Sequence, residues 1–259
     1  MPLSIDHIVI AVTDLDQAIR DYEALGFTVL PGGEHPRGSR NALVVLADSA
    51  YLEIIAFSRP VPDFRWWRVL DAAGSGLVDY ALLPDSLDLD LARARDGGIV
   101  MDGPIDGARL QPDGTRLAWR SARPPESDIP FLCEDVTPRA LRVPEGAARK
   151  HANGVTGVAG VTVAVRDLGT STARYRTLLG KAPVASGGVP GLGFGLVQFQ
   201  LGRQTVSLVE GRAEACEGLT RHLEQRGQGA YAISFFGGKD QVLDTSLTHG
   251  ARLEIVRER

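Results

Sequence analysis

A segment at the start of the chain recurs in its second half, and this repeat constrains the fold more than any other feature. Residues 4–26 match residues 157–179 when shifted by 153 positions, which places Val12 on Val165. Each copy is an apolar, β-branched run, followed by an aspartate and a stretch with helical periodicity that ends at glycine. This pattern predicts a strand joined to an N-capped helix.

The elements that follow the repeated helix also recur. NALVVLAD and YLEIIAF are expected to form a hairpin, which gives strand, helix and three strands over residues 4–57 and again over 155–210. Weaker copies are expected over residues 77–135 and 229–258, the last reduced to a strand, a short helix and a strand. Repeated supersecondary units of this kind bury their cores by pairing. The predicted fold class is therefore α+β, with tandem βαβββ modules.

The pairing of units predicts how the chain is divided. Residues 1–136 are expected to hold the first pair of modules. Residues 155–259 are expected to hold a second, degenerate pair whose last module is truncated. The stretch between them, 137–154, is rich in Pro, Arg and Ala and is interpreted as a linker.

Composition narrows the classes of function. The net charge is −4 and the basic residues are dispersed, which argues against a nucleic-acid or anionic-membrane surface. Cys133 and Cys216 lie far apart, so neither a disulfide framework nor a cysteine-rich metal site is expected. The amino terminus runs directly into a predicted strand, and no apolar run is long enough to cross a bilayer. We therefore expect a cytoplasmic protein that acts on or binds a small molecule.

A set of short motifs runs through the first half of the chain. They are DHIVIAVTDL at 6–15, GGEHPRG at 32–38, NAL at 41–43, YLEII at 51–55, Pro130-Phe131 and HANG at 151–154. In combination these motifs resemble the vicinal-oxygen-chelate superfamily of glyoxalases, bleomycin-resistance proteins and extradiol dioxygenases, and within it the glyoxalase-like domain proteins. The resemblance is good to residue 155, moderate to residue 210 and faint beyond.

The resemblance implies that paired units curl mixed sheets around a cleft that holds a divalent metal. In this superfamily a His or Gln from a first strand and a Glu from a last strand bind the ion, which chelates two neighbouring substrate oxygens. His7 and Glu53 match these positions in the first unit. The implied ion is Zn, Fe, Mn or Ni, acting as a Lewis acid or as the iron of a dioxygenase.

The third metal ligand is left open, because a protein metal site needs at least three donors. Glu134 is the better hard ligand in the last strand of the second unit, if its side chain faces inward. Asp79 stands near the equivalent of His7 in that unit, and His151 lies in a loop from which it can reach the cleft.

A structural alternative exists for both matched residues. His7 then serves as a hydrogen-bonded core histidine, and Glu53 pairs with an arginine or points into a wet cavity. The third unit has Gly160 and Ser207 near these positions, so a single site in the first pair is expected.

Further residues are predicted to complete the site. Glu53 and His35 are the catalytic candidates, His35 because it lies in a Gly/Pro-rich loop that is expected to cover the cleft. The predicted substrate contacts are Asn41, Tyr51, Trp66, Trp67 and Asp79. The two tryptophans serve equally well as core packing for a connecting helix, and the remaining histidines, His222 and His249, are expected at the surface.

Two kinds of function follow. The first is a metal-dependent lyase, isomerase or dioxygenase acting on a small oxygen-rich organic molecule, which His7 and Glu53 support. The second is a metal-free protein of the same fold that binds, sequesters or senses a small ligand, which the absence of a matching His in the second and third units supports. The expected partner is a small-molecule substrate or ligand, and a homodimer is left open.

Overall fold

The repeated order of elements is present in the structure, a computed structural model that describes residues 3–111, 113–189, 193–211 and 216–258. The first unit consists of β1 (Ser4–Ala11), α1 (Leu15–Ala24), β2 (Leu30–His35), β3 (Ser39–Val45) and β4 (Tyr51–Phe57). The third unit consists of β9 (Gly157–Ala164), α5 (Leu168–Leu179), β10 (Ala185–Val189), β11 (Phe194–Leu201) and β12 (Gln204–Gly211). The predicted tandem βαβββ arrangement is confirmed.

The remaining units are less alike. The second unit follows α2 (Arg65–Ala73) and consists of β5 (Gly76–Leu83), α3 (Leu87–Asp96), β6 (Asp102–Leu110), β7 (Arg116–Arg123) and β8 (Phe131–Asp135). The fourth follows α6 (Glu217–Gln225) and holds β13 (Gly229–Gly237), β14 (Gln241–Val242) and β15 (Arg252–Arg257). The prediction of a short helix in this unit is wrong. Residues 245–250 form turns, because His249 and Gly250 adopt positive φ angles of 53° and 79° that end a helix.

The two matched helices begin with the same cap. The Asp14 carboxylate accepts a hydrogen bond from the Gln17 amide, and the Asp167 carboxylate accepts one from the Thr170 amide. Each cap satisfies an amide that the first helical turn leaves unpaired. Within the described part of the chain, no helix combines the length and apolar character needed to span a bilayer.

The first two units close into a barrel in the strand order β1-β4-β3-β2-β6-β7-β8-β5. β1 runs parallel to β4 and antiparallel to β5, so it forms a seam between the two units. The ring is completed where β2 meets β6, at Glu34 opposite Leu110. An eight-stranded barrel has an interior just wide enough for its side chains or one small ligand.

The last two units form a 7-stranded sheet in the order β10-β11-β12-β9-β13-β15-β14. β9 repeats the seam, parallel to β12 and antiparallel to β13. The predicted fold of curved mixed sheets is confirmed, with one sheet closed and the other open.

One apolar core joins the two sheets. Ile8 and Ile10 on the outside of the barrel share a cluster with Val161 and Phe235 of the second sheet. A hydrogen bond of 2.6 Å also links the Tyr80 and Tyr175 hydroxyls. Because the core is continuous, the division into separate domains at 1–136 and 155–259 stays a prediction.

The segment 137–154 is bound to the first half of the chain. It contains α4 (Arg139–Arg142) and a 3-10 helix (Gly146–Arg149). The Asn153 amide group donates to the Leu25 carbonyl, and the Thr28 hydroxyl donates to the Lys150 carbonyl. These contacts place α4 against one end of the barrel.

Candidate functional site

The barrel encloses a cavity of about 230 Å³ whose wall comes from both units. Its polar lining includes His7, His35, Asn41, Glu53 and Arg109. Its aromatic lining includes Phe57, Phe64, Trp66, Trp119 and Phe131. We call this cavity the cleft.

β1 turns His7 into the cleft. Val9 shares its side of the strand and belongs to the apolar cluster inside the barrel, whereas Ile8 belongs to the core shared with the second sheet. A register shift between Ile5 and His7 in the pairing with β5 interrupts this alternation. As a result, the Asp6 carboxylate contacts the His7 imidazole, although strict alternation would place the two side chains on opposite sides.

Four charged residues close the end of the barrel beneath His7, and we call them the floor cluster: Asp6, Asp135, Arg139 and Arg142. Arg142 Nη1 lies 2.8 Å from Asp6 Oδ2, and Arg139 Nη1 lies 2.7 Å from Asp6 Oδ1. Asp135 accepts hydrogen bonds from both guanidinium groups, at 2.6 and 2.8 Å. The cluster therefore balances its own charges inside the protein.

The floor cluster orients the His7 ring through Asp6. Burial alone would raise the pKa of Asp6, but the Arg142 guanidinium and the His7 ring hold that pKa well below its ordinary value. The ionised carboxylate accepts the His7 Nδ1 proton at 2.6 Å. Because this bond uses the Nδ1 side of the ring, Nε2 is left to face the cleft, as in metal-binding histidines held by a carboxylate.

Glu53 lies beside His7, on the neighbouring strand β4. Its Oε2 is 3.7 Å from His7 Nε2, and its Oε1 is 3.9 Å from His35 Nε2. The Asn41 amide donates to Oε1 at 2.6 Å and so orients the carboxylate. The structure thus brings together His7, His35, Asn41 and Glu53, all four of which the sequence predicted for the site.

His35 enters the cleft from the end of β2. Its Nδ1 is 3.1 Å from the Ser39 hydroxyl, which leaves Nε2 directed at Glu53. Burial lowers the pKa of His35, although Glu53 opposes this effect. The ring is therefore neutral near pH 7, with a nitrogen free to accept a proton or bind an ion.

The aromatic residues predicted to contact substrate have different positions. Tyr51 stacks on His7 with ring centroids 4.7 Å apart, and its hydroxyl accepts a hydrogen bond from Arg142. Trp66 lines the cleft. Trp67 packs edge-on against Phe57 at 5.6 Å, so it supports the wall from behind.

Three predicted donors do not join His7 and Glu53. Glu134 accepts from Arg120 at 2.6 Å and from the Leu87 amide at 3.0 Å, on the outside of the barrel, because its neighbour Cys133 takes the inward position. Both His151 nitrogens bond to backbone, Nδ1 to the Thr28 amide and Nε2 to the Val45 carbonyl.

Asp79 is engaged in the same way. It accepts hydrogen bonds from Trp66 Nε1 at 2.8 Å and from the Arg65 guanidinium. In this structure Asp79, Glu134 and His151 therefore bond to other groups of the protein, and among the predicted site residues His35 supplies a further nitrogen near Glu53.

The chemistry of the cleft donors fits a divalent ion. An ion bound at ~2.0–2.2 Å to each ligand can join donors up to ~4.2 Å apart. Each carboxylate oxygen of Glu53 lies within that span of one histidine, at 3.7 Å from His7 and 3.9 Å from His35. The ligand atoms of these three residues do not all lie within 4.8 Å of one another, so the histidine rings must move closer together to share one ion. Two imidazoles and one carboxylate suit zinc, iron or manganese.

A second set of donor atoms lies on the other side of the His7 ring. Asp6, His7 and Cys133 offer ligand atoms within 4.8 Å of one another. This set fits an ion less well, because the arginines of the floor cluster already engage Asp6. Burial also raises the pKa of the Cys133 thiol to about 12, which keeps it protonated.

Sequence reasoning missed the floor cluster, Arg109 and Trp119. Arginine 142 lies in the supposed linker, where a Pro/Arg/Ala-rich composition indicates a flexible segment. The run RALR with an aspartate seven residues before Arg142 was the available signal, but it specifies no partner for Asp6.

Comparisons with known proteins agree with this geometry. A sequence model described as a glyoxalase-like domain matches residues 5–194. A hypothetical protein from Staphylococcus aureus superposes with a TM-score of 0.74 at 11% identity, covering 100% of both chains. No curated protein matches the sequence significantly.

Two further solved structures share the fold at low identity. A triple mutant of 4-hydroxymandelate synthase from Streptomyces coelicolor gives a TM-score of 0.61 at 16% identity, over 91% of this chain and 71% of that one. A fusion of a xylose isomerase-like TIM barrel with 4-hydroxyphenylpyruvate dioxygenase gives 0.56 at 19% identity, over 90% of this chain and 36% of that one.

Proposed function

Because the chain belongs to the glyoxalase-like domain family, within the vicinal-oxygen-chelate superfamily, we propose that it is a divalent-metal-dependent enzyme acting on a small, oxygen-bearing organic molecule. The observation that carries this proposal is that His7 Nε2 and His35 Nε2 each lie within 4 Å of the Glu53 carboxylate inside a closed barrel. In that superfamily the reaction types to test are lyase, isomerase and dioxygenase.

The cleft residues are assigned two roles, metal binding and proton transfer. His7, His35 and Glu53 would hold the ion, which supplies Lewis-acid polarisation of a substrate oxygen or, for iron, reaction with dioxygen. The floor cluster keeps the His7 ring oriented through Asp6 Oδ2. Glu53 is buried, His35 is half-buried, and both face the cleft, so whichever of the two is not bound to the ion is placed to take a proton from a substrate carbon or hydroxyl.

A non-catalytic binding protein of the same fold is the second candidate. It is favoured by the placement of the predicted third ligands, since Asp79, Glu134 and His151 are all engaged elsewhere. In that case Glu53 serves as a hydrogen-bond acceptor that Asn41 and the histidines orient, and the cleft holds a ligand without turning it over.

Metal content separates the two candidates. Wild-type protein purified without chelator should carry about one equivalent of zinc, iron, manganese or nickel by elemental analysis. His7→Ala should lose it, because removing a direct ligand costs more than the ~10–100-fold in affinity that a supporting residue costs. His249→Asn, which removes an imidazole hydrogen-bonded to Asp21 far from the cleft, should retain it.

Two results would contradict the metal proposal. Wild-type protein without stoichiometric metal, even after incubation with each ion, would favour the binding protein. Metal that His7→Ala retains would contradict the ligand assignment. Thermal melting of each variant shows whether the fold survives the substitution.

A further inference from the structure

Arg109 is a buried cation that the metal proposal does not use. It lies on β6 with only 6% of its surface exposed, and it lines the cleft. Its Nη1 donates to the Gly32 carbonyl at 2.6 Å. The adjacent Gly33 makes room for this contact, because a Cβ there would lie 3.0 Å from Nη1 and 2.4 Å from the Leu110 carbonyl oxygen.

The charge of Arg109 has no carboxylate partner among the described residues. A guanidinium carries five N–H donors, and the Gly32 carbonyl accepts only one of them. Two other buried or half-buried arginines near the cleft are paired: Arg142 with Asp6 and Asp135, and Arg65 with Asp79. Buried charges are costly unless paired, so an unpaired guanidinium that lines a cavity indicates a missing anion.

The electrostatics of the cleft agree with this reading. Burial lowers the pKa of Arg109, while Tyr51 and Glu53 oppose that effect only through space. Glu53 is already engaged by Asn41 and lies near both histidines. Its negative charge disfavours a dianionic ligand and leaves room for a ligand with one negative charge.

The rim of the cleft adds positive charge over aromatic rings. Arg123 does not itself line the cleft, but its guanidinium lies 4.7 Å from the ring centres of Trp66 and Phe131, which do. Arg37 lies 5.4 Å from the Phe64 ring, and the exposed Asp106 is the acidic residue of the lining at this end. An aromatic or apolar body therefore fits between Arg109 and the rim.

We propose that Arg109 binds the carboxylate of a small aromatic or apolar monocarboxylic acid, held in the cleft with its other polar end towards His7, His35 and Glu53. This inference rests on the proposed function only in taking the cleft as the ligand site, and it does not require a metal. The planar fork of the guanidinium matches a carboxylate through two parallel hydrogen bonds. The acid and its neutral amide should therefore bind very differently.

Benzoate and benzamide form a suitable probe pair, because they share a shape and differ in charge. The three tryptophans of the chain report binding: Trp66 and Trp119 line the cleft, and Trp67 supports its wall. In fluorescence titrations of chelator-treated wild type, benzoate should bind at least about tenfold more tightly than benzamide, as for a charge-assisted bidentate contact. Benzoate should also raise the melting temperature more than benzamide.

Variants identify the group responsible. Arg109→Gln should abolish the preference for benzoate, and Arg109→Lys should keep a reduced preference. Arg116→Gln removes an exposed charge from the neighbouring strand of the same hairpin and should behave as wild type. A preference that survives in Arg109→Gln would overturn the proposal.

The test also separates this proposal from the metal proposal. If a bound ion attracts benzoate, the preference should disappear on chelation and in His7→Ala but persist in Arg109→Gln. If Arg109→Gln does not fold, the titration of the wild-type protein is sufficient as a test. Equal affinities of the wild-type protein for benzoate and benzamide would overturn the inference. If the metal proposal fails and this one holds, the preference remains in metal-free protein.

Discussion

The two halves of the molecule contain the same βαβββ unit but carry different side chains at the positions that form the site in the first half. In the first half β1 pairs with β4 so that His7 lies opposite Tyr51, and in the second half β9 pairs with β12 so that Gly160 lies opposite Thr205. This register places Ser207 where the first half has Glu53. The backbone is repeated, but the histidine and the carboxylate of the first half are replaced by a glycine and a serine.

The two halves also differ in whether their sheet closes into a barrel. β2 and β6 join the first two units into a ring. In the described part of the second sheet, β10 and β14 lie at opposite ends of the strand order and do not pair. The fourth unit has only β13, β14 and β15, so it offers no long strand to meet β10.

Closure determines what the concave face can hold. In the open sheet that face carries half-buried polar pairs, Gln198 with Ser207 at 3.1 Å and Ser234 with Glu254 at 2.5 Å. Water can satisfy such groups, so no balanced cluster is needed. In the barrel the same face is enclosed on all sides by strands, and the buried carboxylate of Glu53 is held by neighbouring side chains.

The largest effect should come from breaking the floor cluster. Arg142→Ala leaves the buried Asp6 and Asp135 without their main partner, so the free energy of unfolding should fall by about 3–5 kcal/mol. Urea denaturation measures this change. Arg203→Ala, which breaks the exposed Arg203–Glu258 pair of the second half, should cost less than about 1 kcal/mol.

Equal losses from these two arginine variants would contradict the comparison. They would mean that the barrel does not depend on internal charge pairing more than the open sheet does. A loss in Arg142→Ala below about 1 kcal/mol would show that Asp6 gains access to water.

A smaller effect is expected from pH in the second half. α6 corresponds to α2, since both have nine residues and follow the last strand of a unit, and His222 of α6 then takes the place of Leu70. His222 was expected at the surface but is buried. Burial, with Arg252 and Arg226 nearby, lowers the pKa of His222 to about 4.

The sign of this pH dependence follows from the two states of the chain. Below pH ~6.5 the unfolded chain takes up a proton at His222, whereas the folded chain does so only near pH 4. Stability is therefore complete above pH ~6.5 and is lost as the pH falls towards 4, by at most about 3 kcal/mol. Urea denaturation at several pH values should show this loss in wild type.

His222→Leu introduces the residue of the first half at the matched position. The variant should lose less stability than wild type between pH 6.5 and pH 4, because the titrating group is gone. An unchanged slope would show that His222 does not titrate in this range, and that other groups cause the acid sensitivity.

The smallest effect in this series concerns the closing strand itself. Gly33→Ala places a Cβ 2.4 Å from the Leu110 carbonyl oxygen, across the β2–β6 junction, and should destabilise the protein by about 1–3 kcal/mol. Gly187→Ala, on the corresponding strand β10, meets no atom within 4 Å and should change stability by less than about 0.5 kcal/mol. Thermal melting of both variants gives the comparison, and equal shifts would show that closure tolerates a wider strand spacing.

The repeated unit was predictable from the sequence because its signals are local. A β-branched run, an Asp cap and a glycine stop lie within about two dozen positions in each copy, and the structure places the caps at Asp14 and Asp167. The position of His7 in the cleft was implied by the family resemblance, and the structure places it there. The prediction of a short helix in the fourth unit was wrong, because the positive φ angles at His249 and Gly250 favour turns there.

The parts of the site that were missed depend on contacts between distant segments. Alternation predicts opposite sides for Asp6 and His7, and only the register shift against β5 brings them together. Arg109 reaches the cleft because β2 and β6 close the ring, a pairing with no local signal. For Glu134 the direction of one short strand decided the outcome, and Cys133 took the inward position.

The floor cluster also has a consequence for the order in which the chain is made. Asp6 and Arg142 are separated by 136 positions. During synthesis all eight barrel strands leave the ribosome before α4 does, so the growing chain holds Asp6 without its guanidinium partners. We expect the nascent barrel to keep this end open to water until Arg142 emerges, which makes the segment after β8 the last part needed to complete the unit that begins at residue 4.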